Sequence, residues 1–344
     1  MKALKTAVVA AATLCIVAIS GCGAGSSAST TSAPSSSGPA TASPEQLAEP
    51  VSIGVGAKVG SYLLPFFAQE QGLFEKEGLT AVTVSIVPGP QLPSALAGGT
   101  VDVGVLGAPA VDLGALNGPV KIIGTWQTTP GVQLVAGPGI GSVEDLKGKK
   151  VAINGGKAGL ASFMITKALL DAGMTQNDVQ LVVLADYPSQ LQAFSSGQAD
   201  ATIAAPPFTD SLLTDRPGSS VIHEYDNVVF PTPELVVNTD WASANRAQAE
   251  GVVRALETAR SMWLTEPDLA KATIATQLNT TADSPAVAAT YAATVKTFLP
   301  RLAPVTLETE QAVFALARDN GFPTATDEAA AAVIDTSYVQ NALG

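Results

Sequence analysis

Val51-Ser52-Ile53-Gly54-Val55-Gly56 reads as a buried strand entering a glycine turn, and about one hundred residues later Val151-Ala152-Ile153-Asn154-Gly155-Gly156 repeats the pattern. A short apolar run closed by glycine fits a fully buried parallel strand that feeds a helix. After the first run, Ser61 opens a helix through Tyr62-Leu63-Leu64-Pro65-Phe66-Phe67 that Gly72 ends; after the second, a helix bearing Phe163, Ile165 and Leu169 runs to Gly173. The next elements correspond as well. Val82-Thr83-Val84-Ser85-Ile86 leads to Pro90 and a helix from Ser94 to Ala97, as Gln180-Leu181-Val182-Val183-Leu184 leads to Pro188 and a helix from Gln190 to Ser195. Each helix stops at glycine and enters a strand through an aspartate, Gly99-Thr100-Val101-Asp102-Val103 in one case and Gly197-Gln198-Ala199-Asp200-Ala201 in the other. Any two strand-helix-strand units share some of this grammar. A nearly constant offset over successive elements implies two lobes built on one plan.

Two such lobes predict an α/β fold of two mainly parallel sheets flanked by helices, with ligand loops beyond the carboxyl ends of the strands facing a cleft. The first lobe is expected over 51–126 and 235–344 and the second over 127–234. The chain would cross between them at Gly124 to Gly131 and again at Asp226 to Val237, where Pro231 and Pro233 bracket Thr232. Beyond the second crossing the sequence reads as helical. Ala247 to Trp263 has apolar residues at helical spacing, Pro267 starts another helix, and further helices to Gly344 should pad the first lobe. Trp241 and Trp263 are expected in the core.

Ahead of the lobes, Lys2 and Lys5 precede an apolar run from Ala7 to Ile19, shorter than the roughly 20 residues of a membrane helix and ordered like a secretory signal. It ends in Ile19-Ser20-Gly21-Cys22, which resembles the lipobox of bacterial lipoproteins. That resemblance implies a signal peptide over 1–21 and lipidation of Cys22; a free or buried thiol is the plainer alternative. Residues 22–50 are rich in Ser, Ala, Thr, Gly and Pro and cannot bury enough apolar surface to offset their ordering entropy, so they should form a disordered tether. Cys15 would leave with the signal, which removes any disulfide or thiol pair. The formal net charge of −12 argues against nucleic acid and against an anionic membrane surface as electrostatic partners. Membrane contact would come through the lipid anchor only.

The run Gly72-Leu73-Phe74-Glu75-Lys76-Glu77-Gly78-Leu79, followed by Ala95-Leu96-Ala97-Gly98-Gly99-Thr100-Val101-Asp102-Val103-Gly104, resembles the first lobe of a known family. It is the nitrate, sulfonate, taurine and thiamine-precursor (NMT1-like) group of ABC-transporter substrate-binding proteins, which have the type II periplasmic-binding-protein fold. Asp145-Leu146-Lys147-Gly148-Lys149-Lys150-Val151-Ala152 resembles the entry to its second lobe, and the resemblance covers about Val51 to Leu299. It implies an extracytoplasmic, lipid-anchored monomer at the bacterial cell membrane that needs no cofactor and no metal. Such a receptor closes on a small organic anion and delivers it to permease and ATPase subunits. An aliphatic sulfonate or taurine, or nitrate, is the expected ligand, with a pyrimidine thiamine precursor as the alternative. The motifs themselves read as scaffold. Gly78 and Gly98 suit left-handed helix stops, Ser142 with Asp145 has the form of a capping box, and Asp102 and Asp200 fit turn caps better than a carboxylate pair.

Candidate ligand residues lie on the loops at inward strand ends. They are Lys58, Gly60, Ser61, Tyr62, Gly107 and Ala108 in the first lobe, Gln127 at the first crossing, and Lys157, Ala158, Gly159, Tyr187 and Pro206 in the second. Small residues there leave backbone N–H groups at helix starts open to an anion. Lys58 and Lys157 either add charge or are merely solvated, and Tyr62 and Tyr187 either meet the ligand or pack at the rim. Enzymatic readings find little support. One histidine, His223, and one mature cysteine cannot make a typical zinc site, and no Gly-x-Ser-x-Gly elbow occurs. Gly155-Gly156-Lys157 resembles a phosphate loop only in part, because Val151 stands where the leading Gly belongs and Ala158 replaces the Ser or Thr. The rival is a biosynthetic enzyme on the same fold, a pyrimidine synthase or dehydratase; the signal and Cys22 argue against it. A third reading is a ligand sensor for a signalling receptor.

Overall fold

The computed structural model describes residues 49–107 and 118–344, so the expected signal peptide, Cys22 and nearly all of the tether lie outside the described residues. The strands are β1 (Val51–Val55), β2 (Val82–Ile86), β3 (Val103–Leu106), β4 (Val120–Gln127), β5 (Gln133–Ala136) and β6 (Lys150–Asn154). They continue as β7 (Gln180–Leu184), β8 (Ala201–Ala204), β9 (Ser220–Glu224), β10 (Glu234–Asn238) and β11 (Phe298–Ala303). Two sheets result, ordered β11-β4-β10-β3-β1-β2 and β7-β6-β8-β5-β9. Each has the expected parallel centre, β1 between β2 and β3 and β6 between β7 and β8. Each is extended by antiparallel strands, so the sheets are mixed rather than mainly parallel. The reason is connectivity: the chain changes sheets between β4 and β5 and again between β9 and β10, so returning strands lie against their neighbours in the opposite sense.

The two centres repeat one another atom by atom. Asp102 accepts the Ser52 N–H at 2.8 Å while its own N–H donates to the Ser52 carbonyl at 3.1 Å; Asp200 accepts the Lys150 N–H at 2.9 Å and donates back to the Lys150 carbonyl at 2.7 Å. Both aspartates therefore pin a central strand to its neighbour, as turn-capping residues do. In register, Ile53 faces Val103 and Val151 faces Ala201. Gly78 takes the left-handed conformation with φ of 82°. Gly98 does not. It keeps φ of −83° at the end of the helix Leu92–Ala97, and Gly99 beyond it turns left-handed with φ of 69°. The left-handed residue follows the cap, so the stop falls one residue later than read from sequence. Only half of the Ser142 and Asp145 box forms: Asp145 accepts the N–H groups of Gly141 and Ser142, and the Ser142 side chain caps nothing in the one-turn element Glu144–Leu146.

After β10 the helix Arg246–Thr265 buries Ala249, Val252, Val253, Leu256, Ala259 and Trp263 at three- and four-residue spacing. Trp263 stands edge-on to Phe67 at 5.3 Å in the first core, and Trp241 packs on that core half-buried. Two expectations about the tail fail. Phe298-Leu299-Pro300-Arg301-Leu302-Ala303 is a strand, not a helix; it lies at a sheet edge, where Pro300 removes no ladder bond that the edge needs. Nor does the tail stay on the first lobe. Beyond the helix Leu307–Asp319, Phe322 stacks on Phe163, and the Asn320 side-chain oxygen accepts from Ser162, Thr166 and Gln176 of the second lobe. Thr166 Oγ1 can also donate to the Ser162 carbonyl at 2.8 Å, but the buried Ser162 hydroxyl donates to Asn320 alone among the described residues, and that need outweighs the apolar padding role. Asn320→Ala, which strands the Ser162 hydroxyl, should lower stability by about 1–3 kcal/mol in urea unfolding.

Candidate functional site

The carboxyl ends of both parallel centres open on one cleft of about 550 Å³. Lys58, Gly60, Ser61, Tyr62, Gly107, Gln127, Ala158, Gly159, Tyr187 and Pro206 all line it. Lys157 is exposed and does not; Gly155 and Gly156 are both left-handed, with φ of 71° and 63°, and turn it outward. Its carbonyl instead accepts from the Asn320 side-chain amide at 2.6 Å. Ala108 lies outside the described residues.

Close packing explains why glycine occupies two of these positions. A Cβ on Gly159 would sit 2.1 Å from the Asn154 carbonyl oxygen, and one on Gly107 would sit 3.0 Å from the Tyr62 hydroxyl and 3.1 Å from Thr232 Oγ1. Gly159 precedes the helix Leu160–Asp171 without any side-chain cap, so the first-turn N–H groups of Leu160 and Ala161 are left without a capping side chain at the cleft wall. The two crossings form the floor. Phe230 N–H donates to the Thr128 carbonyl at 2.7 Å, and Gln127 is held at both ends, donating to the Thr129 carbonyl at 2.6 Å and accepting from Thr297 Oγ1 at 3.0 Å.

The tyrosines bracket the cleft from opposite lobes. The Tyr62 hydroxyl bonds Thr232 Oγ1 at 2.8 Å, and burial, reinforced by the Glu234 carboxylate, holds its phenol well above the usual range. Tyr187 accepts the Ala205 N–H at 3.1 Å, stands edge-on to Phe208 at 5.6 Å, and is pushed up to about 12 by burial. Asp186 beside it is held below the usual carboxylate range by its bonds to Ser189. His223 lies on β9 against Tyr225 at 4.7 Å, off the cleft. Among the described residues no group of three or more His, Cys, Asp or Glu is placed to hold a metal ion.

Sequence reasoning missed several walls. Pro88, Gly89, Pro90 and Pro93 follow β2 just as Asp186 and Pro188 follow β7, and the match of Pro90 with Pro188 was a usable signal. Gln190 and Phe208 needed only one more helical turn of extension. Thr294 and Thr297 come from the helix Pro285–Thr297, which reaches the cleft by tertiary packing and carries no local mark.

This geometry, two mixed α/β lobes around a cleft floored by paired crossings, is the periplasmic-binding-protein fold. Residues 62–270 match the NMT1/THI5-like family, and the chain belongs to it. A protein of Brucella abortus (strain 2308) named as a binding protein is 28% identical over 223 residues, 64% of this chain and 68% of that one. The alkanesulfonate-binding protein SsuA of Xanthomonas axonopodis pv. citri, solved with MOPS, superposes with a TM-score of 0.66 at 20% identity, covering 88% of this chain and 99% of its own. The desulfurization enzyme DszB superposes with a TM-score of 0.57 at 14% identity over 86% of this chain and 99% of its own, so the fold serves catalysts as well.

Tyr187 gives a pH test. Its phenol ionises near 10 when unfolded and only near 12 when folded, so in that window the unfolded state binds fewer protons and stability falls as pH rises. Tyr187→Phe should flatten that decline, read as a shallower dependence of the urea midpoint on pH between those two values.

Proposed function

We propose that this protein is the extracytoplasmic solute-binding component of an ABC importer, a monomer moored to the cell membrane through a lipidated Cys22. It closes its lobes on a small organic molecule and presents the closed form to permease and ATPase subunits. The observation that carries this reading is the single cleft lined by matching loops of both lobes and floored by the two crossings, because a solute bridging the lobes stabilises the closed state by its differential contacts. An anionic group on that solute would meet the N–H groups at the start of the helix Leu160–Asp171, with Lys58 adding charge from the first lobe. Three or four such bonds at roughly 1.5–3 kcal/mol each account for the approximately 8 kcal/mol of a micromolar receptor. The named ligand class of the Xanthomonas protein makes a sulfonate the first candidate for the anionic group, ahead of nitrate, with a pyrimidine thiamine precursor as the alternative.

The second reading, an enzyme, is raised by the fold of DszB. What favours a receptor is the supply of chemistry: the chain's one histidine is on β9 beside Tyr225, and both of its cysteines precede the lobes.

Two experiments test the proposal. Small-angle scattering with and without sulfonates, nitrate, bicarbonate and aminopyrimidines should show a compaction with the true ligand that Tyr62→Ala combined with Tyr187→Ala abolishes. Compaction that survives the double variant would remove both tyrosines from the site, and an unchanged radius with every solute would sink the receptor reading. Expressed in a bacterium with the lipoprotein pathway, the protein should sediment with membranes, and Cys22→Ser should release it.

A further inference from the structure

The cleft's chemistry narrows the solute beyond the receptor role, on which this step rests. Arginine is the side chain suited to fork recognition of a compact oxyanion. None lines the cleft among the described residues, and all six are engaged elsewhere: Arg246, Arg254, Arg260 and Arg318 with carboxylates, Arg216 with the carbonyls of Phe194 and Ala199, and Arg301 with that of Leu343. Lys58 is the one cation among the described lining residues, and the Asp186 carboxylate is taken up by the Ser189 N–H at 2.8 Å. The walls are instead rings and hydrocarbon, among them Tyr62, Tyr187, Phe208, Pro90, Pro188 and Leu160. The Tyr62 hydroxyl is bonded to Thr232 and the Tyr187 oxygen accepts the Ala205 N–H, so beside the Tyr187 O–H, which is a single donor, these residues offer chiefly ring surface. A space of about 550 Å³ falls in the range of sites for whole organic molecules, far beyond a nitrate.

Among the described residues, one buried side-chain atom of that lining is unsatisfied. Gln190 is fully buried and lines the cleft from the first turns of the helix Tyr187–Ser195. Its Nε2 donates to Thr202 Oγ1 at 2.9 Å and to the Ile203 carbonyl at 2.8 Å. A carbonyl can only accept, so the amide cannot be turned over, and Oε1 is fixed as an acceptor with no partner among the described residues. Buried acceptors are rarely left so. Nitrate and simple sulfonates present acceptors alone and cannot satisfy it.

We infer that the solute has a planar, largely apolar body bearing an N–H or O–H donor, and that Gln190 is the specificity-determining residue that accepts from it. An anionic head, if present, is a single group at the start of the helix Leu160–Asp171. The head can be held constant while the body is varied. Isothermal titration with methanesulfonate, taurine, benzenesulfonate and the three aminobenzenesulfonates should give ring-bearing probes at least about tenfold tighter binding than methanesulfonate, and the best amino isomer a further gain of about fivefold over benzenesulfonate. Gln190→Met should erase that last gain, bringing the amino-to-plain affinity ratio to about one whatever the absolute affinities, with the melting temperature read alongside. If the variant fails to fold, the amino-to-plain ratio on the unaltered protein still decides. Methanesulfonate or taurine as tight as the best ring overturns the planar body and leaves the receptor reading standing. Equal affinity for amino and plain rings, or a ratio untouched by Gln190→Met, overturns the role of Gln190. Binding by none of the six overturns the inference as stated, while the scattering measurement judges the receptor independently.

Discussion

The hydroxyl of Thr125 lies between the carbonyls of Gln127 and Pro233, at 2.6 and 2.8 Å, and accepts the Gln127 N–H at 3.1 Å. One buried oxygen thus joins the two stretches of chain that pass between the sheets. Everything about the cleft follows from that junction: the carboxyl ends of both parallel centres point at the same space because the crossings leave their sheets side by side. The adjoining bond from Phe230 to the Thr128 carbonyl extends the join toward the second lobe.

Much of this could be read from residues in order. The parallel centres announced themselves through period and punctuation, and the pairing of Asp102 with Ser52 and of Asp200 with Lys150 shows that the internal likeness was physical rather than a coincidence of composition. Loops following the strands reach the cleft because a strand's carboxyl end fixes where its loop begins. What failed did so for want of local information. Lys157 has the composition of a ligand residue, but two consecutive left-handed glycines decide where it points. The strand Phe298–Ala303 carries a proline and only one buried side chain, because an edge position asks little of its sequence. Thr294 and Thr297 sit on a helix whose destination depends on the whole first core.

The fold alone does not choose between holding a molecule and transforming it, as the likeness to DszB makes plain. Side chains make that choice. Here the cleft is supplied with glycine, proline, aromatic rings and amides whose hydrogen bonds are mostly committed to the protein. Groups so committed are well suited to shape and poorly suited to proton transfer, which needs a partner free to change its bonds.

The place of β10 has a consequence for how the molecule comes into being. It lies between β3 and β4, two strands that adjoin only through it, yet it is encoded after the entire second sheet. A chain growing from its amino end therefore carries an unfinished first sheet, with the facing edges of β3 and β4 exposed, until the second is complete. Asn320 extends the delay, since the carbonyl it holds belongs to a loop made long before it. The earliest-made wall of the cleft is thus fixed only once β10 has been added, and until then a nascent chain of this kind carries two unpaired strand edges open to other chains.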